Sequence, residues 1–377
     1  MKEYIKFFRD KSLLTALAII VCAELAMQAG CYQPFLKKNS YAANVYKLTG
    51  HVLKKQIELD PEILIMGTSL AYEGLSVPIL NQKLQALDLK AQSIAVRGAE
   101  LVVQGMVLEK VLQKFTKVKY LVHVNEIERP WLANRHLTDY TLSMLAQLDR
   151  QRAWQRILED AYNYGSFDRA FLASRLVAYR RDMGNLMISF DKRLKDFGKQ
   201  LKEKRPHPYY YENQYRESLS LYKFATIEEC LQKTTPFSPI PAGSDRFHRN
   251  AIFKTCNLAG EVKLDKIEKS PVTDLYFKRI DNLYRIIRDR NIQIINVFPP
   301  LPKYLEKANY PARIAFWQKE YGTVLGNKVI DLFACIPREN NADYYYDLIH
   351  LNALGMKLFS EQLGERLLQE IKKDREL

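Results

Sequence analysis

A serine hydroxyl is a weak nucleophile at neutral pH. It becomes useful when a base lies within hydrogen-bond reach and a third group orients that base. The chain carries these three residue types in two short segments near its ends. Gly67-Thr68-Ser69-Leu70 follows the apolar run Ile63-Leu64-Ile65-Met66, and Asp347-Leu348-Ile349-His350 runs into Leu351-Asn352-Ala353-Leu354-Gly355. Ser69 is the candidate nucleophile, His350 the base and Asp347 its orienter. The three-residue spacing lets Asp347 and His350 project from one turn. The chemistry would be attack on an acyl carbonyl. Either segment alone says little, because Gly-Thr-Ser after a strand is often only a turn into a helix. Asp or Asn ahead of a helix often serves as its N-cap. The assignment rests on both occurring together, in this order.

Other reactive residues do not form a competing set. His123 lies in an apolar run and reads as a satisfied core histidine, and His136, His207 and His248 lack metal-ligand spacing. The five cysteines, Cys22, Cys31, Cys230, Cys256 and Cys335, include no C-x-x-C pair, so neither a zinc site nor a cofactor is expected. Cys230 and Cys256 could pair in an oxidising compartment; isolated buried thiols are the default. Tyr344, Tyr345 and Tyr346 suit a glycan or acyl pocket, or packing beneath the loop.

The elements that must position Ser69 and His350 are those of an α/β protein. Apolar strand candidates are Ile63–Met66, Ser93–Val96, Tyr120–Val124, Ile292–Phe298 and Lys328–Phe333. Between them, Val77, Leu80, Leu84 and Leu87 mark one helix, and Val103, Met106, Val107, Val111 and Leu112 another. The last helix is expected over Ala353–Lys372, with Leu354, Leu358, Leu363 and Leu367 inside. Apolar strands alternating with helices indicate a parallel sheet covered on both faces, in a flavodoxin-like three-layer arrangement. Ser69 would then sit at the sheet's carboxyl edge. The pattern breaks over 131–274, a polar, Tyr-rich and mostly helical stretch read as an insertion or cap. The expected organisation is 1–31 as a signal or membrane anchor, 32–130 and 275–377 as the two parts of the α/β domain, and 131–274 between them.

Four blocks resemble the SGNH (GDSL-like) serine hydrolase and acyltransferase superfamily. They are Gly67-Thr68-Ser69-Leu70, Gly98 in Ala95-Val96-Arg97-Gly98-Ala99, Asn125 in His123-Val124-Asn125-Glu126, and Asp347-x-x-His350. The resemblance covers about 60–130 and 290–370 and implies the SGNH hydrolase fold. It also implies an oxyanion hole made by the N–H groups of Ser69 and Gly98 and the side chain of Asn125. Thr68 stands where many members have aspartate. His123 and Glu126 flank Asn125 where the family has Gly-x-Asn-Asp. The insertion-bearing, anchored layout is similar to that of alginate O-acetylation proteins and of teichoic acid D-alanyl transfer proteins. That likeness implies an acylated glycan or other acyl ester as substrate and a membrane-bound O-acyltransferase as partner.

The N-terminus adds a location. Lys2, Lys6, Arg9 and Lys11 precede the apolar stretch Leu13–Ala23, interrupted by Glu24. Ahead of a buried core helix stand three readings, in order: an uncleaved anchor, a lipoprotein through Cys31, and a cleaved signal. The lipoprotein reading comes from Gln28-Ala29-Gly30-Cys31, which partly resembles a cleavage site. Each of these three places residues 32–377 outside the cytoplasm, although Lys37 and Lys38 weaken the charge asymmetry. The net charge of +14 reads as a solvated basic surface, or as attraction to an anionic glycan or membrane. The densest basic run, Lys192 to Arg205, carries Leu194, Phe197 and Leu201 at helical spacing. That marks a solvated helix face, and no nucleic-acid partner is expected. The leading function is an extracytoplasmic serine esterase or O-acyltransferase. The alternative is an anchored binding or assembly protein that keeps the fold without catalysis.

Overall fold

The computed structural model describes residues 10–37, 40–54, 56–126, 135–202, 224, 226–242, 246–260, 267–302, 310–326, 328–337, 339, 341–346 and 349–376. The chain divides into two compact units, Met1–Lys47 with Arg135–Pro206, and Leu48–Asn134 with His207–Leu377. The segment expected as one insertion contributes residues to both.

The second unit is built on five parallel strands: β1 Ile63–Met66, β2 Ala91–Ser93, β3 Tyr120–Val124, β4 Gln293–Phe298 and β5 Val329–Asp331. Their order is β2-β1-β3-β4-β5. This is the doubly wound order in which the direction of progression reverses between β1 and β3, where such sheets open a crevice at their carboxyl ends. The strands are largely buried on both sides because helices cover both faces. Alternation sorts the side chains. Ile63, Ile65, Val122, Val124, Ile295 and Val297 share a core with Val77, Leu80 and Leu84 of the helix Val77–Leu84, and with Phe359, Leu363, Leu367 and Ile371 of the helix Ala353–Glu376. The other face carries His123 and Asn296, bonded to Tyr284 of the helix Pro271–Arg288. The helix Leu101–Leu112 packs beside Pro271–Arg288, where Gly105 lies under Leu283 and Ile286.

Two expectations are corrected. β2 begins two residues before Ser93–Val96, because Gln92 and Ser93 are buried polar members of the strand. Leu354 is 49% exposed, and the inner stripe of the last helix runs through Met356, Phe359, Leu363, Leu367 and Ile371. This unit also contains a disulfide between Cys230 and Cys256, with Cα atoms 6.2 Å apart, an ordinary separation for such a bond. The two cysteines are therefore not isolated thiols. They pack with Phe224 and Ile252.

The first unit is helical. It includes Asp139–Leu145, Arg150–Glu159, Ser166–Ala173, Arg175–Ile188 and Phe190–Lys202. Thr138, Asp149 and Ser174 cap three of these helices through bonds to Thr141 N, Arg152 N and Val177 N. Its core includes Leu142, Leu145, Ile157, Phe171 and Tyr179. The N-terminal helix Lys11–Gln28 belongs to this unit. It has a mean hydropathy of 1.5, no buried residue, and enough length and apolarity for a membrane anchor or signal.

Candidate active site

Ser69 is positioned by the end of β1. The chain leaves Met66 through Gly67, and a Cβ there would lie 2.7 Å from that of Ala71 and 3.2 Å from that of Val124. Only glycine lets β1 turn this tightly against β3. Ser69 is the first residue of the short helix Ser69–Gly74, whose first turn closes with Tyr72 N donating to Thr68 O at 2.9 Å. The backbone beyond β2 stays beside this turn, with Ile94 N donating to Ile65 O at 2.8 Å and Val96 N to Gly67 O at 3.1 Å. These bonds lead the chain to Gly98, which has a left-handed φ of +64°. An ion pair of 2.9 Å between Arg97 and buried Glu73 ties the Ser69 helix to the residue before Gly98.

His350 is held by a closed turn after β5. Tyr346 N donates to His350 O at 2.7 Å, and Asn352 N to Tyr344 O at 3.0 Å. Asn352 then caps the last helix, its Oδ1 accepting from Leu354 N at 3.0 Å and Gly355 N at 3.1 Å. Its Nδ2 donates to Asp343 O at 2.6 Å. The Tyr344 carbonyl approaches Gly355 so closely that any Cβ there would collide with it. Tyr345 is buried in the core and Tyr344 packs against it, so these two rings support the turn.

The two segments meet. Ser69 Oγ and His350 Nε2 are 2.8 Å apart, and both side chains are partly buried. This is hydrogen-bond distance for transfer of the serine proton to the imidazole. Asp347 lies outside the described residues.

Asn125 follows β3, and its backbone N donates to Val297 O at 2.8 Å. Its side chain is 2% exposed and is engaged on the polar face of the sheet. Nδ2 donates to Asn296 Oδ1, and Oδ1 accepts from Tyr276 Oη at 3.4 Å. The second Nδ2 proton has a 3.5 Å contact with the His123 carbonyl, long for a hydrogen bond. Tyr284 Oη lies 2.6 Å from Asn296 Oδ1 and 2.7 Å from His123 Nδ1, and Asn296 Nδ2 donates to Leu325 O at 2.5 Å. One assignment of protons is consistent with these short contacts. His123 Nδ1–H donates to Tyr284, Tyr284 O–H to Asn296 Oδ1, and Asn296 Nδ2–H to Leu325. Burial pushes the His123 imidazole down to about 3, so it is neutral here, as a core histidine should be.

Sequence reasoning missed Asn296, Tyr276, Tyr284 and the Glu73–Arg97 pair. One signal for the network was present: Asn296 is a polar residue within the apolar run Ile294-Ile295-Asn296-Val297-Phe298. Among the described residues, no group of three or more His, Cys, Asp or Glu is placed to hold a metal ion. No family model matches the chain, and no curated protein matches it.

Proposed function

We propose that the protein is an extracytoplasmic serine esterase or O-acyltransferase of the SGNH type, acting on acyl esters of an envelope glycan. The observation that carries this reading is the 2.8 Å pairing of Ser69 Oγ with His350 Nε2 at the carboxyl edge of a parallel sheet. His350 takes the hydroxyl proton as Ser69 Oγ bonds to the ester carbonyl carbon. The resulting oxyanion is met by the N–H groups of Ser69 and Gly98. Collapse breaks the ester C–O bond, His350 returns the proton to the leaving alcohol, and an acyl-serine remains. Water or a sugar hydroxyl then attacks the acyl-serine carbonyl, giving its proton to His350; the acyl C–Oγ bond breaks, His350 returns the proton to Ser69 Oγ, and the acid or the new ester leaves. Asp347 is assigned as orienter of the imidazole. The apolar helix Lys11–Gln28 supports a membrane location, and the Cys230–Cys256 disulfide supports an oxidising compartment.

A second reading is favoured by Asn125. Its carboxamide already serves Asn296 and Tyr276, which leaves fewer donors for an oxyanion and suits an anchored, non-catalytic binding or assembly protein. Fluorophosphonate labelling of the detergent-solubilised full chain, with the adduct located by mass spectrometry, separates the two. An enzyme gives an adduct on Ser69 that His350→Ala abolishes. An unlabelled Ser69 in folded protein selects the binding role.

A further inference from the structure

A carboxylate inside a membrane-spanning helix is expensive unless it sits near an end and finds partners. Glu24 has both features. Its Oε2 accepts from Ser174 Oγ at 2.7 Å and Leu176 N at 3.0 Å, and its Oε1 accepts from Arg175 N at 2.8 Å. Ser174 is the N-cap of the helix Arg175–Ile188, and the Arg175 and Leu176 N–H groups are first-turn donors that a helix cannot satisfy internally. The acidic group also sits at the positive end of that helix. One turn further along the apolar helix, Gln28 Nε2 donates to Ala173 O at 3.1 Å, and Arg150 Nη1 donates to the same carbonyl at 3.0 Å.

A second observation concerns Gln28-Ala29-Gly30-Cys31. In the folded chain this segment is a helix stop. Gly30 N donates to Met27 O at 3.0 Å and Cys31 N to Ala26 O at 3.1 Å, with Gly30 at φ +86°. These bonds make a Schellman motif, which calls for glycine at this position. The chain beyond it is also fixed: Tyr32 Oη donates to Asp182 at 2.8 Å, and Arg193 Nη1 donates to Phe35 O at 2.8 Å.

We propose that the helix Lys11–Gln28 is a permanent, lipid-facing part of the mature protein, locked onto Arg175–Ile188 by Glu24, and that it is not removed as a signal or lipoprotein leader. Its 18 residues span about 27 Å at 1.5 Å per residue, close to the hydrocarbon thickness of a bilayer. Glu24 lies one turn from the end, so the Ala173–Leu176 corner sits in the headgroup layer. Removing the helix would strip the Arg175 and Leu176 N–H groups of their acceptor. The lock does not depend on the acyl chemistry.

The test is intact-mass and peptide analysis of the full chain recovered from bacterial membranes. The expected result is an unbroken Gly30–Cys31 bond in protein that stays in the membrane pellet after an alkaline carbonate wash. A mature chain starting at Cys31 or elsewhere between 25 and 32, or release by carbonate, overturns the proposal. A second variant tests the lock itself. In detergent-solubilised protein, Glu24→Ala should speed limited proteolysis near Gly30–Cys31 about fivefold, the equilibrium factor for losing a typical helix cap. Unchanged cleavage would mean that Glu24 locks nothing.

Discussion

On one face of the sheet, Ile63, Ile65, Val122, Val124, Ile295 and Val297 meet apolar side chains from the helices Val77–Leu84 and Ala353–Glu376. On the other, the neighbouring residues of β3 and β4 present His123 and Asn296, with Asn125 just beyond, to the hydroxyls of Tyr276 and Tyr284. Both faces are buried, but they are specified differently. The apolar face is fixed by volume and tolerates rearrangement among side chains of similar size. The polar face is fixed by donor and acceptor count, and each member lost strands another. Only the polar face reaches the candidate oxyanion residue Asn125.

Four outcomes would sharpen or break that contrast. The largest belongs to the proposed reaction: Ser69→Ala should lower ester hydrolysis by about 10⁴–10⁶-fold with little change in unfolding free energy. A comparable loss of stability would mean that Ser69 is structural. Next, Phe359→Ala on the apolar face should cost about 3–5 kcal/mol in urea unfolding and leave fluorophosphonate labelling of the remaining folded protein intact. Loss of labelling at equal folded fraction would break the division between the faces. Third, Asn125→Ala should lower kcat by about 10²–10³-fold if its side chain serves the oxyanion. An unchanged kcat would confine Asn125 to the network with Asn296 and Tyr276.

The smallest outcome is a pH dependence. His123 titrates near 3 in the folded protein and near 6.5 in the unfolded chain. Between these values the unfolded state holds one more proton, so stability rises with pH there and falls as the solution is acidified from about 6.5 toward 3. The slope from this one group is about 1.4 kcal/mol per pH unit. His123→Gln should flatten the unfolding free energy between pH 4 and 6 by about that amount relative to the parent protein. Parallel profiles would place the imidazole outside the dry interior.

The sequence was most legible where a strand is a largely apolar run. β1 and β3 fall where the runs Ile63–Met66 and Tyr120–Val124 put them. β2 was less legible because Gln92 and Ser93 resemble loop residues, although both are buried. The outward position of Leu354 was missed because leucine spacing alone does not show that Asn352 sets the rotation of the last helix by capping it. Ser69 and His350 could be paired in advance because each carries a local motif. Asn125 could be named from its block after the third strand, but Tyr276 and Asn296 carry no such motif, and the bonds joining them to Asn125 cross 151 and 171 residues of sequence. Glu24 was visible as an interruption in an apolar run, but its partners at Ser174–Leu176 lie about 150 positions away.

Ser69 and His350 are separated by 281 positions along the chain. At a synthesis rate of about 5–20 residues per second, Ser69 leaves the ribosome roughly 15–55 seconds before His350 exists. A nascent chain therefore has Ser69 without His350, and the two come together only when the last strand and helix close. Under the proposed function, the long separation is a timer that keeps acyl chemistry off until His350 has been made and folded into place.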